Sequence, residues 1–114
     1  MKADSIYITL TDANFQREVL ENPQPVLVLF EADWSGSCHI ISSVIESLAA
    51  DFKGQIRFAR VDVDANAGIK KEYGIRTVPT LIFFKNGQVV DHIVGMISEK
   101  VLATHLNALL QTER

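Results

Sequence analysis

The run Val26-Leu27-Val28-Leu29-Phe30 limits the folds open to this chain more than any other segment. Its five consecutive apolar residues are bounded by Pro25 and Glu31. They show no polar alternation, so they read as a strand apolar on both faces. Such a strand needs a packed layer on each side, which points to an α/β architecture. The flanking segments offer those layers. Ile6 to Leu10 reads as a short strand. Thr11 or Asp12 then provides an N-cap oxygen for a helix through Phe15, Val19 and Leu20, stopped by Asn22-Pro23-Gln24-Pro25.

After the central strand, Glu31-Ala32-Asp33-Trp34-Ser35-Gly36-Ser37 forms a turn into the most periodic segment. Ile40, Ile41, Val44, Ile45, Leu48, Ala49 and Phe52 follow helical spacing, and Gly54 closes that helix. Ile56 to Asp64 alternates apolar and polar residues, as a strand facing one core layer does. A short helix runs from about Asn66 to Tyr73 and ends at Gly74. Thr80–Lys85, Asn86-Gly87 and Gln88–Val94 then spell a hairpin, because Asn-Gly supplies the two positive φ angles of a type I′ turn. Ser98 caps a last helix carrying Val101, Leu102, Leu106, Leu109 and Leu110 on one face. The expected order is βαβαβαββα, a mixed central sheet flanked by helices, in a single domain spanning 1–114.

Composition narrows the function classes. A net charge of −3 with scattered Lys and Arg, the densest cluster being Lys70-Lys71, argues against nucleic acid as a partner. The longest apolar stretches, Val26–Phe30 and Val78–Phe84, fall far short of the roughly 20 residues of a membrane helix. The start, Met1-Lys2-Ala3-Asp4-Ser5, does not read as a secretory leader, so the expectation is a cytoplasmic protein with no membrane association. The one cysteine, Cys38, excludes an internal disulfide and multi-cysteine metal clusters. His39, His92 and His105 are not at ligand spacing, and no Gly-rich phosphate loop is present, so no metal or cofactor is expected.

The chemically informative segment is Trp34-Ser35-Gly36-Ser37-Cys38-His39, at the strand-to-helix turn. It resembles the active site of the thioredoxin family, usually Trp-Cys-Gly-Pro-Cys, with Ser35 where the first cysteine belongs. The resemblance extends along nearly the whole chain. It takes in Pro25–Phe30, Val61-Asp62-Val63-Asp64, Tyr73-Gly74-Ile75-Arg76-Thr77-Val78-Pro79-Thr80, Phe84-Lys85-Asn86-Gly87 and Val94-Gly95. The fold it implies is the thioredoxin fold. In that family the first cysteine attacks a substrate disulfide as thiolate, and the second resolves the mixed disulfide. A buried aspartate on the preceding strand helps move the proton; the matching position here is Leu29.

A serine hydroxyl cannot form a disulfide, so dithiol turnover is not expected. Cys38 is the residual thiol and Ser35 marks the missing nucleophile. Cys38 is either a small buried residue or a functional monothiol, forming a mixed disulfide, a glutathione adduct or a Cys38-linked dimer; otherwise a monomer is expected. His39 sits four residues after Ser35, but no acid is placed to orient it, and helix capping is the plainer task for Ser35. Arg60 lies where the family often carries a lysine; with Leu29 in the acid's place, it is expected to point to solvent. The resemblance implies a cis Val78–Pro79 peptide beside the turn. Trp34, Gly36, Ser37, Thr77, Val78, Pro79 and Gly95 would then form a shallow surface that binds polypeptide or a partner protein without a thiol. Two alternatives stand beside this reading: a restricted oxidoreductase using Cys38 alone, or an active enzyme with an engineered Ser35. Leu29 argues against the second, since an engineer removing one thiol has no reason to remove the proton acceptor.

Overall fold

A computed structural model describes residues 5–111. The start Met1-Lys2-Ala3-Asp4 and the outer limits of the expected 1–114 unit lie outside the described residues. Five strands form one sheet: β1 (Tyr7–Leu10), β2 (Val26–Glu31), β3 (Arg57–Asp62), β4 (Thr80–Lys85) and β5 (Gln88–Val94). Their order across the sheet is β1-β3-β2-β4-β5. β3 runs parallel to both β1 and β2, whereas β4 is antiparallel to β2 and β5. Three helices accompany them, α1 (Gly36–Ala49), α2 (Ala67–Glu72) and α3 (Glu99–Gln111). This is the expected mixed α/β sheet, with β2 at its centre.

The five residues Val26 to Phe30 are each at most 1% exposed, and they divide between two cores as strand pleating requires. Leu27 and Leu29 join Ile41, Ile45, Leu81, Phe83, Leu102 and Leu106 between the sheet and α1 and α3. Val26, Val28 and Phe30 join Leu10, Phe15, Val61, Ile69 and Phe84 on the other face. There Tyr73 packs among Phe15, Phe30 and Phe84, with ring centroids 5.4–6.1 Å apart. The hairpin turn holds Asn86 at φ 54° and Gly87 at φ 77°. A side chain on Gly87 would also strike the Leu20 carbonyl, so both its conformation and its surroundings require glycine.

Several local expectations need correction. The first helix is only a π-helical turn, Gln16–Leu20, closed by a bond from the Glu21 amide to the Gln16 carbonyl. Thr11 Oγ1 caps the turn leading into it, accepting from the Ala13 and Asn14 amides. Asp12 instead crosses to α2, where its carboxylate accepts from the Gly68 and Ile69 amides at 3.3 and 2.8 Å. Asn66 Oδ1 accepts in return from the Asp12 amide at 3.0 Å, so two segments more than 50 residues apart cap each other. β3 serves both cores rather than one: Phe58 faces α1, while Ala59 and Val61 face α2. Leu20, Ile40 and Val101, expected on buried helix faces, are exposed, because each lies at the margin of its apolar arc.

Candidate functional site

The turn after β2 is organised by Ser35. Its backbone is extended (φ −94°, ψ 115°), and its Oγ accepts from the Cys38 amide at 3.2 Å, so it is the N-cap of α1. The hydroxyl thereby satisfies one of the amides that a helix start leaves open. Ser35 is 7% and Cys38 1% exposed, whereas Gly36 and Ser37 face solvent. His39 turns away from Ser35, and its Nε2 donates to the Asp33 carbonyl oxygen at 3.0 Å. A Ser–His nucleophile is therefore not assembled: the hydroxyl oxygen faces an amide and the imidazole faces a carbonyl. Trp34 is 73% exposed, and its Nε1 donates to Asp64 Oδ2 at 2.9 Å, which steadies the ring at the rim of the turn.

Leu29 is fully buried, opposite Arg60 on one side and Leu81 on the other. The position the resemblance gives to a proton acceptor is occupied here by hydrocarbon packed against α1. Arg60 does not point to solvent, contrary to the sequence expectation. Its Nε and Nη2 donate to Glu31 Oε2 and Oε1 at 2.6 and 3.1 Å, a bidentate pair. The guanidinium carbon also lies 4.4 Å from the Tyr7 ring centroid. The missing observation was register: Leu29 faces Arg60 across parallel strands, and Glu31 is the next residue on that face. The acid that meets Arg60 is therefore Glu31, two positions further along β2 than Leu29.

Tyr7 continues this network inward. Its hydroxyl lies 3.1 Å from the Ser42 carbonyl oxygen and 3.0 Å from Ser42 Oγ, one helical turn beyond Cys38. Burial, partly offset by Ser42 and Arg60, pushes the Tyr7 phenol up to about 12. The Glu31 carboxylate, through its hydrogen bonds, holds the Arg60 guanidinium charged and outweighs the cost of burial. Glu31 is thus occupied by a cation, on the face of β2 that α1 covers.

The second wall of the site is the segment entering β4. The Val78–Pro79 peptide is cis. Thr80 Oγ1 donates to the Thr77 carbonyl at 2.6 Å, and the Gly95 amide donates to the Pro79 carbonyl at 2.9 Å. Since Thr80 pairs with Phe30 on β2 and with Val94 on β5, these residues sit at the same sheet end as the Ser35 turn. Thr77 is exposed, Val78 and Gly95 are half-buried, and Pro79 is buried. Apolar exposure at this end comes instead from Trp34, from Val94 and Met96 around Gly95, and from Ile40 on the first turns of α1. The sequence alone does not single out Ile40 and Met96 as exposed at this end. The available signal was their position two residues after Cys38 and one after Gly95.

Among the described residues, no group of three His, Cys, Asp or Glu side chains is arranged to hold a metal. His105 is committed elsewhere, with Nδ1 2.6 Å from Asp91 Oδ2 and its ring stacked on Phe83. No helix among them is long and apolar enough to cross a membrane.

The sequence matches the thioredoxin family model over residues 6–108. It is 41% identical to thioredoxin 1 of Synechococcus elongatus over 103 residues, covering 90% of this chain and 96% of that one. It is 42% identical to the thioredoxin of Pyropia yezoensis over 98 residues, 86% of this chain and 92% of the relative. The thioredoxin of Chlorobaculum thiosulfatiphilum is likewise 42% identical, over 101 residues, 89% and 94% of the two chains. With the turn into α1, the segment entering β4 and the sheet that carries both, these matches place the chain in the thioredoxin family.

Proposed function

We propose that this thioredoxin-family protein holds polypeptide at the Ser35–Cys38 turn without exchanging disulfides. The observation that carries the reading is the state of Ser35: an oxygen stands where the attacking sulfur is needed, and it caps α1 through the Cys38 amide. Leu29 supports it, since hydrocarbon cannot accept the proton that a resolving thiol must lose. What such a turn retains is a binding surface. Trp34, Thr77 and Val94 stay exposed around it, and Val78, Pro79 and Gly95 shape the backbone beside it. Cys38 at 1% exposure weighs against the monothiol alternative and against a Cys38-linked dimer, because an attacking sulfur must reach its partner.

The test is a titration of Trp34 fluorescence with an unfolded polypeptide whose cysteines have been alkylated. Trp34 is the sole tryptophan, so the signal reports the turn directly. Saturable binding that survives Cys38→Ser and weakens with Trp34→Ala is the expected result. Binding that disappears with Cys38→Ser would show that the thiol, not the surface, makes the contact.

A further inference from the structure

Beside the segment entering β4 lies an open cleft of about 510 Å³ whose lining is chemically one-sided. Its floor is Tyr73, Ile75 and Ile82, and its outer wall is Val89 and Val94 of the edge strand β5. Ile75 and Ile82 are buried beneath it, while Val89 and Val94 are 49% and 58% exposed. Thr77 lines the cleft as well, which joins it to the segment entering β4. The basic residues of the lining are Arg76 and His92, and no Asp or Glu is among them.

On a chain of net charge −3, that local balance runs against the average. Glu72 lines an adjoining hollow with Asp12 and Gln16, which shares Tyr73 with the cleft. Asp91 on β5 is turned to His105 of α3. Among the described residues no carboxylate forms an ion pair with Arg76.

We propose that this cleft receives a partner polypeptide segment in which apolar side chains flank a carboxylate, with Arg76 as the residue that selects for the acid. The inference rests on the polypeptide-binding reading above and adds a charge preference to it. An apolar floor offers area but no direction, whereas one unpaired guanidinium at the rim favours anionic segments and repels cationic ones. The segment lies across the sheet face rather than along the β5 edge. Asp91 Oδ1 already accepts the His92 amide at 2.8 Å, which removes a donor that an added strand would need.

The experiment uses the full chain and a dye-labelled peptide, Gly-Ser-Leu-Glu-Ile-Glu-Phe-Ser-Gly, with counterparts carrying Gln or Lys in place of both Glu. Binding is read by fluorescence anisotropy at low and high salt, and association of the chain itself by sedimentation. The Glu peptide should bind about fivefold to tenfold more tightly than the Lys peptide at low salt, as weakly screened ion pairs at a rim allow. The difference should shrink at high salt, and Arg76→Glu should invert the order. Equal binding of all three peptides overturns the charge preference and leaves the polypeptide reading standing. Failure of every peptide, together with failure of the alkylated polypeptide, overturns both. A concentration-dependent dimer that Arg76→Glu dissolves would assign the cleft to a second copy of the chain and overturn the proposed occupant.

Discussion

Removing the Glu31 carboxylate should destabilise the protein through Arg60, and the size of the loss follows from their setting. The two side chains are 16% and 32% exposed, so the pair is neither a freely solvated surface contact nor a fully buried one. Exposed pairs contribute about 0.2–1 kcal/mol, and breaking a buried pair costs about 3–5 kcal/mol. The bidentate geometry at 2.6 and 3.1 Å places this one between those limits, at about 2 kcal/mol for Glu31→Ala. Arg60→Met keeps the stem against Tyr7 but loses the cation over its ring, and should cost a similar amount. The double variant should cost well below the sum, because each single change leaves the other charge partly buried and unpaired. A coupling of about 1.5 kcal/mol is expected from a double-mutant cycle measured by urea denaturation. Losses that add to within about 0.5 kcal/mol would mean that Arg60 points to solvent, as the sequence alone suggested.

The other consequences are more local. Ser35→Ala should lower stability by about 1 kcal/mol through loss of the α1 cap, while Ser35→Gly should cost only a few tenths; equal losses would show that the hydroxyl does not cap. Asp12→Ala should cost about 1–2 kcal/mol and speed hydrogen exchange at the Gly68 and Ile69 amides, and unchanged exchange there would contradict the cross-chain cap. An unfolded tyrosine ionises near 10 while folded Tyr7 stays protonated to about 12, so above pH 10 only the unfolded chain releases this proton. Stability from this group is therefore complete below pH 10 and lost as pH rises toward 12, by up to about 2–3 kcal/mol. Burial raises Tyr73 too, so the Tyr7 share is what Tyr7→Phe removes from the alkaline decline; an identical decline in that variant would rule it out.

What could be read in advance depended on the range of the interaction. β2, the Asn86-Gly87 hairpin and the Ser98 cap, which accepts from the Val101 amide, are set by neighbouring residues. The Ser35 cap belongs with them, since donor and acceptor are three residues apart. Glu31–Arg60 was not legible, because it needs the parallel register of β2 and β3 rather than either strand's pattern. In the sequence Asp12 stands beside Thr11 as a candidate cap of its own helix, and only the folded chain brings the start of α2 within its reach. Ile40 carries the same apolar side chain as Ile41, so composition could not distinguish the residue facing solvent from the one in the core. The cleft around Arg76 has the same character: its lining comes from the segment Tyr73–Thr77 and from both strands β4 and β5.

Insulin reduction by dithiothreitol decides whether this thioredoxin-family turn binds without exchanging disulfides. The chain is predicted to accelerate the reaction no more than its Cys38→Ser variant does. Restoring both chemical groups, in a Leu29→Asp, Ser35→Cys double variant, is predicted to bring turnover above that baseline. Turnover by the unaltered chain that Cys38→Ser abolishes would contradict the account and make Cys38 a working thiol.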